Sequence, residues 1–185
     1  MSSLADSEKK SLLEIARFAF TAAVERRTPQ QIPPESALPY SGGAFVTIMR
    51  NGRLRGCIGQ LPSGLKLTEV VAHCAYAVAS EDPRFSRVSP EELPSIEIEL
   101  SVLSEPFDIL PGDIQVGKHG LFVSNGSRRG VLLPQVALRF HWNGVRFLEE
   151  TCEKAGLARD AWKNDSTRVQ AFTAEVFSEA DLQTT

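Results

Sequence analysis

An α+β fold follows from three observations in the sequence. Strand-like segments flank Asn51-Gly52, a dipeptide suited to a type I′ hairpin turn, and a second such pair surrounds Asn125-Gly126-Ser127. Stretches of helical periodicity are interspersed with these hairpins and do not alternate regularly with single strands. The expected architecture is a mixed or antiparallel sheet flanked by helices, with hairpins at 44–58 and 120–133, in one domain over 1–185 that includes a smaller lobe.

A chain of 185 residues, 42% hydrophobic and 23% charged, can bury a core without disulfide or metal staples. The net charge of -3 supplies no global positive field towards nucleic acid or anionic lipid. Cys57, Cys74 and Cys152 are widely spaced and contain no C-x-x-C pair, which argues against a disulfide framework or a structural zinc site. The start Met1-Ser2-Ser3-Leu4-Ala5-Asp6 has no basic stretch followed by an apolar one, and no apolar run reaches membrane-spanning length. Together these predict a cytoplasmic protein without membrane attachment.

Leu12, Ile15, Ala16, Ala19 and Ala23 recur at helical spacing, with Asp6 or Ser7 as the expected N-cap and Arg26 and Arg27 near the end. From Thr28 to Gly43 the four prolines predict an extended linker. A turn at Asn51-Gly52 predicts the pairs Met49 with Leu54, Thr47 with Gly56, Phe45 with Ile58, Ile48 with Arg55 and Val46 with Cys57. Arg55 and Cys57 then share a face. Leu67 to Ala79 carries a helical stripe and stops before Asp82-Pro83. Ile96, Ile98, Leu100 and Val102 alternate with Glu97, Glu99 and Ser101, the pattern of a strand bordering solvent or a polar cleft. Gly120–Ser124 and Arg129–Leu133 form the second hairpin, which Pro134 ends. Val145, Leu148, Cys152 and Ala155 mark a helix capped by Asn143 and stopped by Gly156, and Val169–Phe177 reads as a last strand.

The chemistry centres on Leu54-Arg55-Gly56-Cys57-Ile58-Gly59. Gly56 and Gly59 bring no side chains to screen the thiol, and a guanidinium at Arg55 would favour thiolate, the nucleophilic form. The other reading makes Cys57 a small core residue opposite Val46. His73 is the nearest imidazole in sequence and the candidate base for Cys57. Arg55, Gly56, Gly59 and Arg84 are candidate ligand contacts, although Arg84 has Glu81 and Asp82 as alternative partners. Arg50, Arg53, Arg128 and Arg129 read either as an anion patch or as solvated turn residues. A metal site from Cys57, a histidine and Glu97 or Glu99 has no supporting ligand spacing, and no phosphate loop, dinucleotide motif or nucleophile elbow occurs. Neither metal nor cofactor is expected.

Leu54–Gly59 resembles the signature hexapeptide of the AMMECR domain family, also called component A of the AmmeMemoRadiSam system. Asp82-Pro83-Arg84-Phe85, Glu99–Leu103, Gly130–Val136 and Glu149–Trp162 resemble further family segments in the same order. The resemblance implies an α+β fold with a larger and a smaller lobe, and no accepted catalytic activity. It also implies Memo-type and radical-SAM proteins as partners, with nucleic-acid or translation roles as a weaker association. Two functions remain open: a small-molecule site centred on the hexapeptide with cysteine-dependent chemistry, and a non-catalytic module that binds a protein partner or nucleic acid.

Overall fold

The structure, a computed structural model, describes residues 4–28, 42–62 and 64–182. Its secondary structure is α+β with antiparallel strand pairing throughout the assigned ladders. The linker expected from Thr28 to Gly43 falls largely outside the described residues. The chain divides into two compact units, one built from the residues up to Leu103 together with those from Glu175 onward, the other from Ser104–Ala174.

In the first unit, helix α1 (Asp6–Val24) precedes strands β1 (Gly43–Arg50) and β2 (Arg53–Gln60), helix α2 (Leu67–Val78) and strand β3 (Ile96–Leu103). The strand order is β2-β1-β3. Val46, Ile48, Ile98 and Leu100 alternate onto one face and are fully buried in a single cluster with Leu12 and Phe20 of α1 and Val70, Val71, Cys74 and Val78 of α2. The N-cap of α1 is Ala5, one residue earlier than expected. Alanine offers no side-chain acceptor, so the Glu8 carboxylate reaches back to take the Ala5 N–H at 2.8 Å, while Asp6 lies in the first turn.

Asn51 and Gly52 have φ of 51° and 71°, as a type I′ turn requires. The register beyond the turn differs from the expected one. Met49 pairs with Leu54 as expected, but Ile48 pairs with Gly56, Thr47 with Cys57, Val46 with Ile58 and Phe45 with Gly59, so Arg55 is an extra residue in β2. This is a β-bulge, which sets two residues of one strand against one of the other. Alternation alone does not disclose it.

The second unit contains β4 (Phe107–Asp108), β5 (His119–Asn125), β6 (Arg128–Leu132), short helix α3 (Pro134–Arg139), helix α4 (Gly144–Lys154) and most of β7 (Arg168–Ser178), which continues into the first unit. A four-residue helix, α5 (Glu179–Leu182), follows in the first unit. β5 lies between β6 and β7, and β4 pairs with β7. The second hairpin turns on Gly126-Ser127 alone, with Asn125 paired to Arg128, because Gly126 at φ 59° supplies the required positive dihedral. Asn143 caps α4 by accepting the Arg146 N–H at 2.8 Å, and Gly156 follows its end at φ 71°. Val145 is exposed; Phe147, Leu148, Thr151 and Cys152 form the buried stripe instead.

One device recurs. Phe45 pairs with Gly59 in the first unit and Phe172 with Gly120 in the second, and in each a Cβ on the glycine would collide with the phenylalanine ring. The ring lies over the glycine and fills the space that a side chain there would take. Phe172 is fully buried, so its ring has nowhere to retreat. Gly120→Ala is therefore expected to cost about 1–3 kcal/mol by overpacking, read as a lower urea midpoint at unchanged slope; a variant as stable as the parent would show that the contact yields freely.

Candidate functional site

Every residue of the site described here belongs to the first unit. The bulge sets Arg55 and Gly56 together opposite Ile48, on the face turned to the helices, and returns Cys57 to the face of Thr47. Gly56 fits closely there: a Cβ would stand 3.1 Å from Val78 Cγ2 and 3.2 Å from Ile48 Cγ1, tight enough that those side chains would have to give by a few tenths of an ångström. Beside it the Arg55 guanidinium donates from Nε to Glu92 Oε1 at 2.9 Å, from Nη2 to Glu92 Oε2 at 3.1 Å and from Nη1 to the Ser86 carbonyl at 2.9 Å. Nη2 also donates to the Arg87 carbonyl at 3.4 Å. Arg50, which alternates onto the same side as Ile48, donates to Glu92 as well.

The expected shared face of Arg55 and Cys57 is thus corrected. One inserted residue turns the guanidinium to the side opposite the thiol, where a carboxylate and two carbonyls occupy it. Glu92 sits in a 3-10 turn over Pro90–Ser95 and takes the Ser89 N–H at 2.9 Å. The Arg55 hydrogen bonds hold its carboxyl at about 2, below the ordinary 4.5, against a burial effect of opposite sign. The spacing Ser89-x-x-Glu92, that of a capping box, was the available signal for this turn.

Cys57 is half-buried. Its backbone N–H, on the side of β2 that no other described strand pairs, donates to Asp82 Oδ2 at 2.9 Å. Asp82 is buried and also accepts from Arg84 through the backbone N at 3.1 Å, Nε at 2.9 Å and Nη2 at 2.7 Å. Of the partners open to Arg84, the structure selects Asp82, whose carboxyl is held at about 2, chiefly by the Arg84 hydrogen bond. The Thr47 hydroxyl donates to the Cys57 sulfur at 3.4 Å. Burial raises the thiol pKa above 9.0; the Thr47 hydrogen bond and the Arg84 charge oppose this, and Asp82 and Glu99 add to it. The resting form near neutral pH is the thiol.

Register places Cys57, Thr47 and Glu99 in one row across β2, β1 and β3, with Gly59, Phe45 and Ser101 in the next and Leu54, Met49 and Glu97 on the other side. Glu99 is half-buried, and its carboxyl pKa is raised by burial first, then by Glu97 and Asp181. Thr47 was not singled out as a partner of the thiol because the expected β1–β2 register was one residue off, and Glu99 was considered beside Cys57 only for a metal site. His73 is exposed on α2, whose buried side faces the sheet from the side away from Cys57, so it is not brought to the thiol. His141 is exposed in the second unit, and His119 is buried there with Nδ1 accepting the Gln115 N–H at 3.2 Å. Among the described residues no group of three or more His, Cys, Asp or Glu is arranged to hold a metal ion.

Removing the Arg55 guanidinium takes the two-pronged partner from a buried carboxylate and leaves it Arg50 and the Ser89 amide. Arg55→Gln is expected to destabilise the protein by about 2–3 kcal/mol. Because the Glu92 carboxyl is depressed in the folded state, its contribution is complete above pH 4.5 and is lost as pH falls from there towards about 2. Urea titrations across that range should show a shallower acid loss in Arg55→Gln; parallel pH profiles for parent and variant would contradict the assignment.

The sequence profile of the AMMECR1 family matches residues 13–177. A protein of Methanothermobacter thermautotrophicus is 39% identical over 187 residues, covering 95% of this chain and 96% of its own. One from Pyrococcus furiosus is 42% identical over 166 residues, covering 84% and 78%. The crystal structure of an uncharacterised protein from Pyrococcus horikoshii superposes with a TM-score of 0.86 at 37% identity, covering 95% of this chain and 93% of that one. Profile, relatives and fold agree, and the chain belongs to the AMMECR1 family.

Proposed function

We propose that this protein is a non-catalytic binding module, and that the sheet face carrying Thr47, Met49, Leu54, Cys57 and Glu99 receives a protein partner. One observation carries the reading: the hexapeptide's reactive-looking groups are engaged in holding the strand. Arg55 is committed to Glu92, Gly56 to a close approach of Ile48 and Val78, Gly59 to the Phe45 ring, and the Cys57 amide to Asp82. What remains towards the outside is an exposed Leu54 beside half-buried Met49, Thr47, Cys57 and Glu99, a mixed apolar and polar surface.

Cysteine-dependent catalysis ranks second on the same evidence of geometry. A nucleophilic thiol needs a base or a lowered pKa, and Cys57 has a raised pKa and no imidazole brought to it. Arg84, with its side chain 57% exposed, is the arginine of the original candidates still placed to touch a ligand beside Cys57. Glu97 and Glu99 make the face unfavourable to a phosphate backbone, so a protein occupant fits better than nucleic acid. The family resemblance points to Memo-type or radical-SAM proteins. Three free thiols accord with the proposed cytoplasmic setting, and no helix among the described residues is long and apolar enough to cross a membrane.

The test is the alkylation rate of Cys57 followed by mass spectrometry. With the thiol raised above 9.0, iodoacetamide should react more slowly than with free cysteine near neutral pH and accelerate past pH 9.0. A Memo-type or radical-SAM partner should slow the reaction further, and Cys57→Ser should keep partner binding while Leu54→Asp loses it. A thiolate already formed near neutral pH, or a rate indifferent to both partners, sinks the proposal.

A further inference from the structure

Adjoining the proposed docking face, with which it shares Leu54, the tip of the first hairpin carries a second concavity. A hollow of about 420 Å³ is lined by Arg50, Asn51, Arg53, Leu54 and Arg55. We infer that this hollow is an oxyanion site for a small phosphate monoester, bound by the guanidinium groups of Arg50 and Arg53.

Two observations lead there independently of the cavity. Arg50 and Arg53 are directly paired across the turn, a placement in which like charges destabilise a hairpin. No hydrogen bond or ion pair joins the exposed Arg53 side chain to another described residue, so its charge goes unanswered among the described residues. The second observation is a charge imbalance. Arg50, Arg53 and Arg55 bring three guanidinium groups around the hollow, and Glu92 is the carboxylate that answers them, bound to Arg50 at 2.9 Å and to Arg55 at 2.9 Å. Two positive charges remain uncompensated. A local conflict of this kind in an otherwise consistent hairpin is characteristic of a working site.

The donors are also held in place. Arg50 is fixed through Nε to Ser95 Oγ at 3.1 Å and through Nη1 to Glu92, which leaves Nη2 to point at a ligand. Arg55 has every guanidinium nitrogen engaged and only 15% of its side chain exposed, so it contributes charge and no hydrogen bond. Arg53 closes from across the turn. Two forked cations facing one hollow match the geometry of phosphate oxygens. The excess of two charges selects a dianion, hence a monoester above its second ionisation near about pH 6, over a singly charged diester.

The experiment is a titration of the ¹⁵N-labelled full chain with inorganic phosphate, phosphoserine and dimethyl phosphate, followed by amide shifts. Phosphate and phosphoserine should give saturable shifts at Asn51, Gly52 and Arg53 that strengthen as pH rises past the second ionisation. Dimethyl phosphate should bind about tenfold more weakly. Arg53→Gln, at an exposed position that leaves the core intact, should weaken phosphate about tenfold, while Arg129→Gln on the other hairpin should leave it unchanged. Vesicles of phosphatidylcholine with phosphatidic acid separate a headgroup from a soluble ester. The inference is overturned by non-saturable shifts, by equal losses in Arg53→Gln and Arg129→Gln, by equal affinity for the diester, or by binding to vesicles without any response to soluble phosphate.

Discussion

One inserted residue in an edge strand governs the first unit. By adding Arg55 to β2, the bulge brings Arg55 and Gly56 to the same side of the sheet and returns the strand to a register in which Ile58 meets Val46 on the core face. The second of the two residues is packed closely, since a Cβ there would press on the side chains of Val78 and Ile48. It also requires a partner for the guanidinium that is turned inward. Glu92 and the carbonyls of Ser86 and Arg87 provide it, so the loop between α2 and β3 is latched to the strand.

Two buried carboxylates do the latching, and each satisfies a guanidinium together with a backbone N–H. Glu92 takes Arg55 and the Ser89 amide; Asp82 takes Arg84 and the Cys57 amide. Burying a charge costs several kcal/mol, about 3–5 where a partner is missing, so such groups hold a single geometry well when fully bonded and poorly when not. Asp82 has a further consequence. It occupies an N–H on the side of β2 that no other described strand pairs, where a passing strand could otherwise add. In the docking proposed above, contact with a partner is thereby directed to the sheet face and away from the edge.

The same economy shapes the chemistry at Cys57. A sulfur with a hydroxyl donor, a raised pKa and no adjacent base is a neutral surface group, and its companions are set by the cross-strand row that runs through Thr47 to Glu99. The hexapeptide therefore reads first as a set of instructions for shaping a surface. Its arginine, glycines and cysteine amide each meet a structural need, and Thr47, Met49, Leu54, Cys57 and Glu99 are left towards the outside. The acidic side of that face and the cationic hairpin tip differ in charge, in keeping with the two different occupants proposed for them.

Much of this was legible in the order of residues. Periodicity located α1, α2, β3, α4 and β7, because burying one face imposes a period that the chain must carry locally. Asn51-Gly52, Asn143 and Gly156 announced a turn, a cap and a stop, since each meets a dihedral or hydrogen-bonding demand confined to a few residues. The hexapeptide and its companion segments pointed to the family. The bulge was not legible, because Arg55 departs from alternation to satisfy Glu92, a residue 37 positions away. The choice of Asp82 for Arg84, the row linking Cys57 to Glu99, and the failure of His73 to reach the thiol likewise depend on which distant groups meet once the core has closed. Local patterns fix what a segment is; long-range pairing of buried charges and strands decides which side each of its residues faces.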